Sequence, residues 1–223
     1  MTVVATYPKV ARDWLKHELD PTLFRRGGVI KSGSGKVITG TVLGAIMLGA
    51  ASAAAKAGGN AADTGALTLD VTTPVLANAK VGVYSVRCIA TAANSGTFRV
   101  EDPDGIVIGD VAVGATFADG VKFSIADGTQ DFVVGEGFDI TVAAATKKYV
   151  PINFAALDGS QKAAAILIHL TDATSADAEG AILTGHAQIV PSQLVWPAGA
   201  TTDQKNAALA QLAALGIVSH QRF

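Results

Sequence analysis

Between residues 66 and 142 apolar and polar side chains alternate in short runs, among them KVGVYSVRCIA, GTFRVED and VKFSIAD, and Gly-containing turns such as Asp102-Pro103-Asp104-Gly105 separate them. Successive side chains of a strand point to opposite faces, so a period of two builds a sheet with one buried face. Asp-Gly turns join such strands as antiparallel neighbours. The stretch therefore predicts a small antiparallel sandwich or barrel. On this alternation Tyr84, Val86, Cys88, Phe98 and Val100 face a core while Arg87 faces away. Cys88 is the single cysteine, which excludes an internal disulfide and a thiolate metal cluster. An inward thiol with no cation on its own face is a core residue, not a nucleophile.

Composition fits such a chain. Glycine supplies 24 of 223 residues and aromatics only 6%, so turns are many and the layers are built from Val, Ile, Leu and Ala. Charged residues make up 16%, below the usual ~25%, which excludes disorder of the whole chain. Seventeen Lys and Arg against nineteen Asp and Glu give a net charge of −2, and no chain-wide basic footprint for nucleic acid exists.

The flanks read differently. Val3 to Tyr7 is a short β-prone run ended by Pro8, with nothing local to pack against, and is expected to be an extended arm. The N-terminus shows no positive segment leading into an apolar one and does not read as a secretory signal, so synthesis in a cytosol is expected. Residues 22–47 read as short strands broken by Gly27-Gly28 and Gly33-Ser34-Gly35. Residues 37–55 lack charge over a length that could span a bilayer, yet are weakly hydrophobic, and Val37, Thr39 and Thr41 alternate with Ile38, Gly40 and Val42 as in a strand; no membrane partner is expected. The stretch ASAAAKAGGNAAD at 51–63 has no large side chain and reads as a connector. Near the C-terminus Thr201 or Thr202 can cap a helix whose apolar face is Ala207, Ala208, Leu209, Leu212 and Leu215, stopped by Gly216.

Residues that could carry chemistry do not assemble into known patterns. Gly33-Ser34-Gly35-Lys36 has Ile30 and Val37 where a phosphate loop needs Gly and Ser or Thr, and reads as a hairpin turn. Asp102 to Gly105 lacks the later ligands and closing Glu of a calcium loop and reads as a β-turn. His17, His169, His186 and His220 show no short metal-binding spacing, and Ser160 has no base placed beside it. No enzyme activity, cofactor or metal is expected. Trp196, on the rigid Pro197-Ala198-Gly199 turn, reads as a plug under the final helix in preference to an exposed interface knob.

Several segments taken in order resemble the head decoration proteins of lambda-type tailed phages. They are Pro8-Lys9-Val10 with Asp13-Trp14-Leu15-Lys16, Gly40-Thr41-Val42-Leu43-Gly44, Lys148-Tyr149-Val150-Pro151, Asp158-Gly159-Ser160-Gln161 with Ala165-Ile166-Leu167, and Leu194-Val195-Trp196-Pro197-Ala198-Gly199-Ala200-Thr201. The likeness covers about 1–50 and 146–223, whereas the family's compact form runs almost directly from its Gly-Thr-Val-Leu-Gly strand to Lys-Tyr-Val-Pro. The middle looks like an inserted β module similar to those of other phage structural proteins. The expected fold is mainly β with minor α, an α+β decoration core of short strands and a C-terminal helix plus an inserted antiparallel β-sandwich or barrel. Expected boundaries are an arm at 1–20, a discontinuous core at 21–55 and 146–223, and the insert at 56–145.

The resemblance implies a non-enzymatic virion protein on the outer capsid surface. It would bind the major capsid protein of the expanded head as a homotrimer at local threefold positions and hold it against DNA packaging pressure. Carried onto this sequence, the capsid-binding arm is Thr2, Val3, Val4, Ala5, Thr6 and Tyr7, and Trp14, Trp196 and Pro197 are candidate trimer or core anchors. The alternative is a recognition module, in which the insert binds host-surface glycans or another structural protein. Its aromatics Tyr84, Phe98, Phe117, Phe123, Phe132 and Phe138 sit at core-like positions, which speaks against a glycan site.

Overall fold

A computed structural model describes residues 9–220 of the chain, which is mainly β with minor α. The capsid-binding arm expected at Thr2 to Tyr7 lies outside the described residues. Two compact units divide the chain: Met47–Thr146, and a discontinuous unit built from the residues on either side of it.

The discontinuous unit is centred on a closed five-stranded barrel made of Arg25–Ile30, Val42–Ala45, Tyr149–Pro151, Ala163–Leu167 and Ala178–Leu183. Arg25–Ile30 runs antiparallel to Ala178–Leu183, and Tyr149 closes the ring by pairing with Ile30 on one side and Ala45 on the other. Ile30, Leu43, Ala165, Leu167 and Ile182 fill one core. Gly28 allows this closure, because a Cβ there would stand 2.6 Å from Ile182 Cδ1. A second core around Trp14, Ile166, Leu183, Ile189 and Leu212 lies under the helix Thr202–Ala214 and a three-stranded sheet ordered Leu15–Glu18, Ala187–Ile189, Ile217–Ser219. The helix begins at Thr201, whose hydroxyl accepts from Gln204 N while the Gln204 side chain accepts from Thr201 N, and Gly216 at φ +80 follows its end.

Residues 9–20 depart from the expected arm. Ala11–Trp14 forms one helical turn, Leu15–Glu18 pairs with Ala187–Ile189, and Trp14 is fully buried. Alternation was no guide here, because the strand is short and its anchor is an indole that finds its pocket in residues distant in sequence.

The unit Met47–Thr146 consists of two antiparallel sheets around one core. The larger has the order Leu48–Ala55, Gly137–Ala144, Gly82–Ala92, Ser95–Glu101, Val107–Ala112; the smaller runs Thr116–Asp119, Val121–Asp127, Gly65–Leu69. Tyr84, Val86, Cys88, Phe98, Val100, Phe123, Ile125, Phe132 and Ile140 meet between them. Arg87 points to the other face of its strand and pairs with Asp139 across the sheet. The Asp102-Pro103-Asp104-Gly105 turn is held internally, with Asp102 Oδ1 accepting from Asp104 N at 2.9 Å and Ile106 N at 3.0 Å while Lys80 Nζ bridges Asp102 and Asp104.

The stretch read as a connector differs from expectation as well. Leu48–Ala55 is an eight-residue strand paired with Gly137–Ala144, which moves the division from residues 55/56 to 46/47. Alanine is a weak strand former, so local sequence gives no signal; the ladder offered by Gly137–Ala144 supplies the structure.

Candidate functional site

The segments that carried the resemblance converge in the discontinuous unit. Val10 N donates to Asp13 Oδ2 at 2.9 Å, closing the helical turn that delivers Trp14 to the core. The indole Nε1 donates to Thr39 Oγ1 at 3.0 Å, and Trp14 O accepts from Val190 N at 2.7 Å. Gly40 is doubly required: its φ is +80, and a Cβ would lie 2.9 Å from Trp14 Cδ1. Gly40 O in turn accepts from Val195 N at 2.9 Å, and Val195 O accepts from Val42 N at 3.2 Å. Thr41 and Val195 thereby form a parallel bridge that joins the Gly40–Gly44 segment to the one bearing Trp196.

Gly44 performs a second close approach. A Cβ on it would stand 2.0 Å from Ser160 O, so the Asp158-Gly159-Ser160-Gln161 loop can lie directly on the barrel strand. The loop fixes itself: Ser160 Oγ donates to Asp158 Oδ1 at 2.6 Å, Gly159 N donates to Gln161 Oε1 at 2.8 Å, and Ser160 O accepts from Asn153 N at 3.2 Å. Ser160 is buried and bonded to a carboxylate that orients a turn, an arrangement for shape and not for nucleophilic attack.

Trp196 is half-buried against the second core, and with Pro197 it lines a shallow cleft of about 170 Å³ together with Lys36, Ile38 and Pro151. Of the three anchor residues read from the sequence, Trp14 is therefore wholly internal, whereas Trp196 and Pro197 present part of their surface.

The described chain begins beside an open groove of about 600 Å³ lined by Asp13, Lys16, Val190, Ser192, Gln193 and His220. Lys9 Nζ donates to Gln193 O at its rim. His220 N donates to Ile189 O at 2.7 Å, so both ends of the described chain are tied to one small sheet and its flanking turn. Thr39, Val190 and Gln193 were missed by sequence reasoning. Each acts through a backbone atom or a lone hydroxyl far along the chain from its partner, and no motif announces such a contact.

Among the described residues no group of three or more His, Cys, Asp or Glu side chains is placed to hold a metal ion. Cys88 is buried, and burial pushes its thiol above the ordinary range, away from the reactive thiolate. No helix among them is long and apolar enough to cross a membrane.

Such a constellation joins segments and offers surface. The family model described as bacteriophage lambda head decoration protein D matches residues 4–217. The chain belongs to the bacteriophage lambda head decoration protein D family. It is accordingly a structural decoration protein of a phage capsid, and the capsid is its place in the virion. No curated protein and no solved structure matches the chain. For a member of the head decoration family, the Trp14, Gly40, Gly44 and Val195 contacts are the joints that hold the barrel, the N-terminal turn and the Trp196 loop in one piece.

Proposed function

We propose that this decoration protein binds the expanded head as a trimer at local threefold positions and holds neighbouring capsomers against the pressure of packaged DNA. Residues Thr2 to Tyr7 dock by adding a strand to the major capsid protein. The observation that carries this reading is the tethering at Lys9, Val10, Asp13 and Trp14, because a β-prone segment attached to a rigid point loses less freedom on docking than one on a floppy linker. Strand addition draws its affinity from main-chain hydrogen bonds. Three arms on one trimer raise the overall affinity by ~10² or more over a single arm, so each contact can be weak. Trp196 and Pro197 lie on the surface available for the trimer contact. The unit Met47–Thr146 is an inserted β-sandwich, accommodated between paired strand ends of the core.

Cosedimentation with expanded heads that lack the protein tests this. The full chain should saturate near one copy per major capsid subunit, and a chain lacking residues 1–7 should lose binding. Failure of the full chain to bind expanded heads would refute the proposal.

A further inference from the structure

We propose that the open edge of the strand Leu15–Glu18 is a docking groove for an acidic, extended segment of another protein.

The strand is an outer member of its three-stranded sheet, and among the described residues Ala187–Ile189 is the one strand that pairs with it. Leu19 N donates to His186 O on that paired side. Backbone groups alternate in direction along a strand, so the N–H and C=O of Glu18 point away from the sheet. Leu15 to Glu18 line an open groove of about 370 Å³ together with Arg12, Pro21 and Arg25. No residue of Ala187–Ile189 lines it, which puts the groove on the open side of the strand. The edge is fixed before any partner arrives. Just ahead of it the buried Trp14 accepts from Val190 N at 2.7 Å, and just after it stands the Leu19 bond at 3.0 Å. A preformed edge loses little freedom on docking.

The groove is cationic. Arg12, Lys16 and Arg25 line it and are exposed. Its one carboxylate, that of Glu18, has a side-chain exposure of 5%, and both its oxygens accept from Arg25 Nε, at 3.0 and 2.8 Å. That contact leaves the terminal nitrogens of Arg25 without a partner among the described residues. Lys16 Nζ donates to Arg12 O at 2.7 Å, and neither the Lys16 ammonium nor the Arg12 guanidinium meets a carboxylate among those residues. Asp13 lies on the neighbouring groove, where its Oδ2 accepts from Val10 N at 2.9 Å. Single unpaired cations such as Lys162 occur elsewhere; here three cations flank one free backbone edge.

Charge selects the occupant. Cations on an edge strand repel another basic strand, which is how such edges ordinarily stay unpaired, and they attract an acidic one. A second copy of this edge would set Arg12 and Lys16 near their own kind. Residues 1–8 and 221–223 of the chain contain no Asp or Glu, and the acidic turn at Asp102 to Asp104 is already bridged by Lys80. The fitting occupant is therefore a different protein. Its carboxylates would stand at alternate positions, because alternate side chains of an added strand fall on one face. Main-chain bonds to Glu18 supply affinity, and carboxylates opposite Arg12, Lys16 and Arg25 supply the choice of partner. Nucleic-acid phosphates share the charge but carry no peptide N–H to donate to Glu18 O. The docking does not rest on the capsid reading above.

The test uses the full chain in solution, without heads, and a short fluorescent peptide alternating Asp with Val as the probe. Anisotropy should report binding that weakens with added salt, and the same peptide with Lys in place of Asp should not bind. Arg12→Gln combined with Lys16→Gln should weaken the acidic peptide at least ~10-fold. Lys162→Gln, which removes an exposed cation of the same unit, should leave its affinity unchanged. Hydrogen exchange at the Glu18 amide should slow when the peptide is bound, a change that charge attraction alone does not produce. Should the double variant misfold, exchange in the wild type still decides. The proposal is overturned by failure of the acidic peptide to bind, by equal binding of the Lys peptide, or by a Glu18 amide left unprotected. A single-stranded oligonucleotide of equal charge binding as tightly as the acidic peptide would also overturn it, and none of these results bears on head binding.

Discussion

Trp14 and Thr39 share a buried hydrogen bond at 3.0 Å, and among the described residues it is the indole's one hydrogen bond. Leaving a buried donor without its partner costs ~1–3 kcal/mol. Thr39→Val should lower the stability of the discontinuous unit by about that amount, and Trp14→Ala by ~3–5 kcal/mol through the cavity it leaves. Combining Thr39→Val with Trp14→Phe should cost less than the sum, since the second change removes the orphaned donor. Urea unfolding of the wild type, Thr39→Val, Trp14→Phe and the double variant checks this; strict additivity would show that the bond carries no coupling.

Two glycines of the same barrel should behave oppositely. A Cβ at Gly44 meets the Ser160 carbonyl at 2.0 Å, a backbone atom that cannot step aside, so Gly44→Ala should destabilise by ~1–3 kcal/mol or more. At Gly27 no atom lies within 4 Å and φ is not in the left-handed region, so Gly27→Ala should be neutral or stabilising by ~0.4–1 kcal/mol. Thermal melts that gave both the same sign would contradict this view of the Ser160 loop as a fixed lid on the strand.

Acid should weaken the β unit. The Lys80 ammonium beside Asp102, with the Ile106 and Asp104 amides, holds the Asp102 carboxyl below its usual value, and Lys122 with the Thr73 and Thr72 amides does the same for Asp70. A carboxyl depressed in the folded state contributes stability above its unfolded pKa of ~3.9, and that contribution is lost as pH falls from there through the folded value. Melting temperature should thus fall steeply below about pH 4. Asp102→Asn keeps an acceptor for the turn amides but loses the pairing with Lys80. It should be less stable at neutral pH and show a shallower acid slope, which a pH series of melts would reveal.

Much of this fold was readable beforehand where local pattern and tertiary packing agree. The helix Thr202–Ala214 has its capping residue and its glycine stop in the sequence, and the strands Gly82–Ala92, Ser95–Glu101 and Val121–Asp127 alternate cleanly, which places Cys88 inward and Arg87 outward. Leu48–Ala55 was illegible because its side chains have no alternation and its pairing partner lies some eighty residues away by the register of Ala54 with Asp139. Leu15–Glu18 was illegible for a related reason: four residues gain strand form only from Ala187–Ile189. Within the site the glycines and tryptophans were visible as residue types, but the contacts that assign them, Trp14 to Thr39 and Gly44 to Ser160, join positions that no spacing rule connects.

Cys88 offers a probe of the β unit alone. It is 1% exposed, its thiol pKa is raised by burial, and its Sγ lies 3.5 Å from Ala90 O. A thiol reagent should label it only when the unit opens, so the labelling rate in native buffer should track unfolding of Met47–Thr146 and rise with urea. Rapid labelling without denaturant would mean that the strand around the Cys88/Ala90 register shift opens locally.

The two units meet in sequence at a place where a hairpin could stand. Ala45 pairs with Tyr149, and Ile46 N donates to Lys148 O at 2.9 Å, so the ends of the core flanking Met47–Thr146 are already antiparallel neighbours. Two-residue Asn-Gly turns close such a pair with the twist that strands prefer. Replacing residues 47–147 by Asn-Gly should therefore leave the barrel, the three-stranded sheet and the helix Thr202–Ala214 intact. The shortened chain should give a cooperative melt and dispersed amide resonances. Its stability should fall within a few kcal/mol of the barrel unit in the full chain, since the deleted core around Tyr84 and Phe98 is a separate cluster from the two that surround Trp14 and Ile30. A shortened chain that is molten, beside a full chain that is well folded, would show that Met47–Thr146 is needed to complete the barrel and is not a self-contained addition to it.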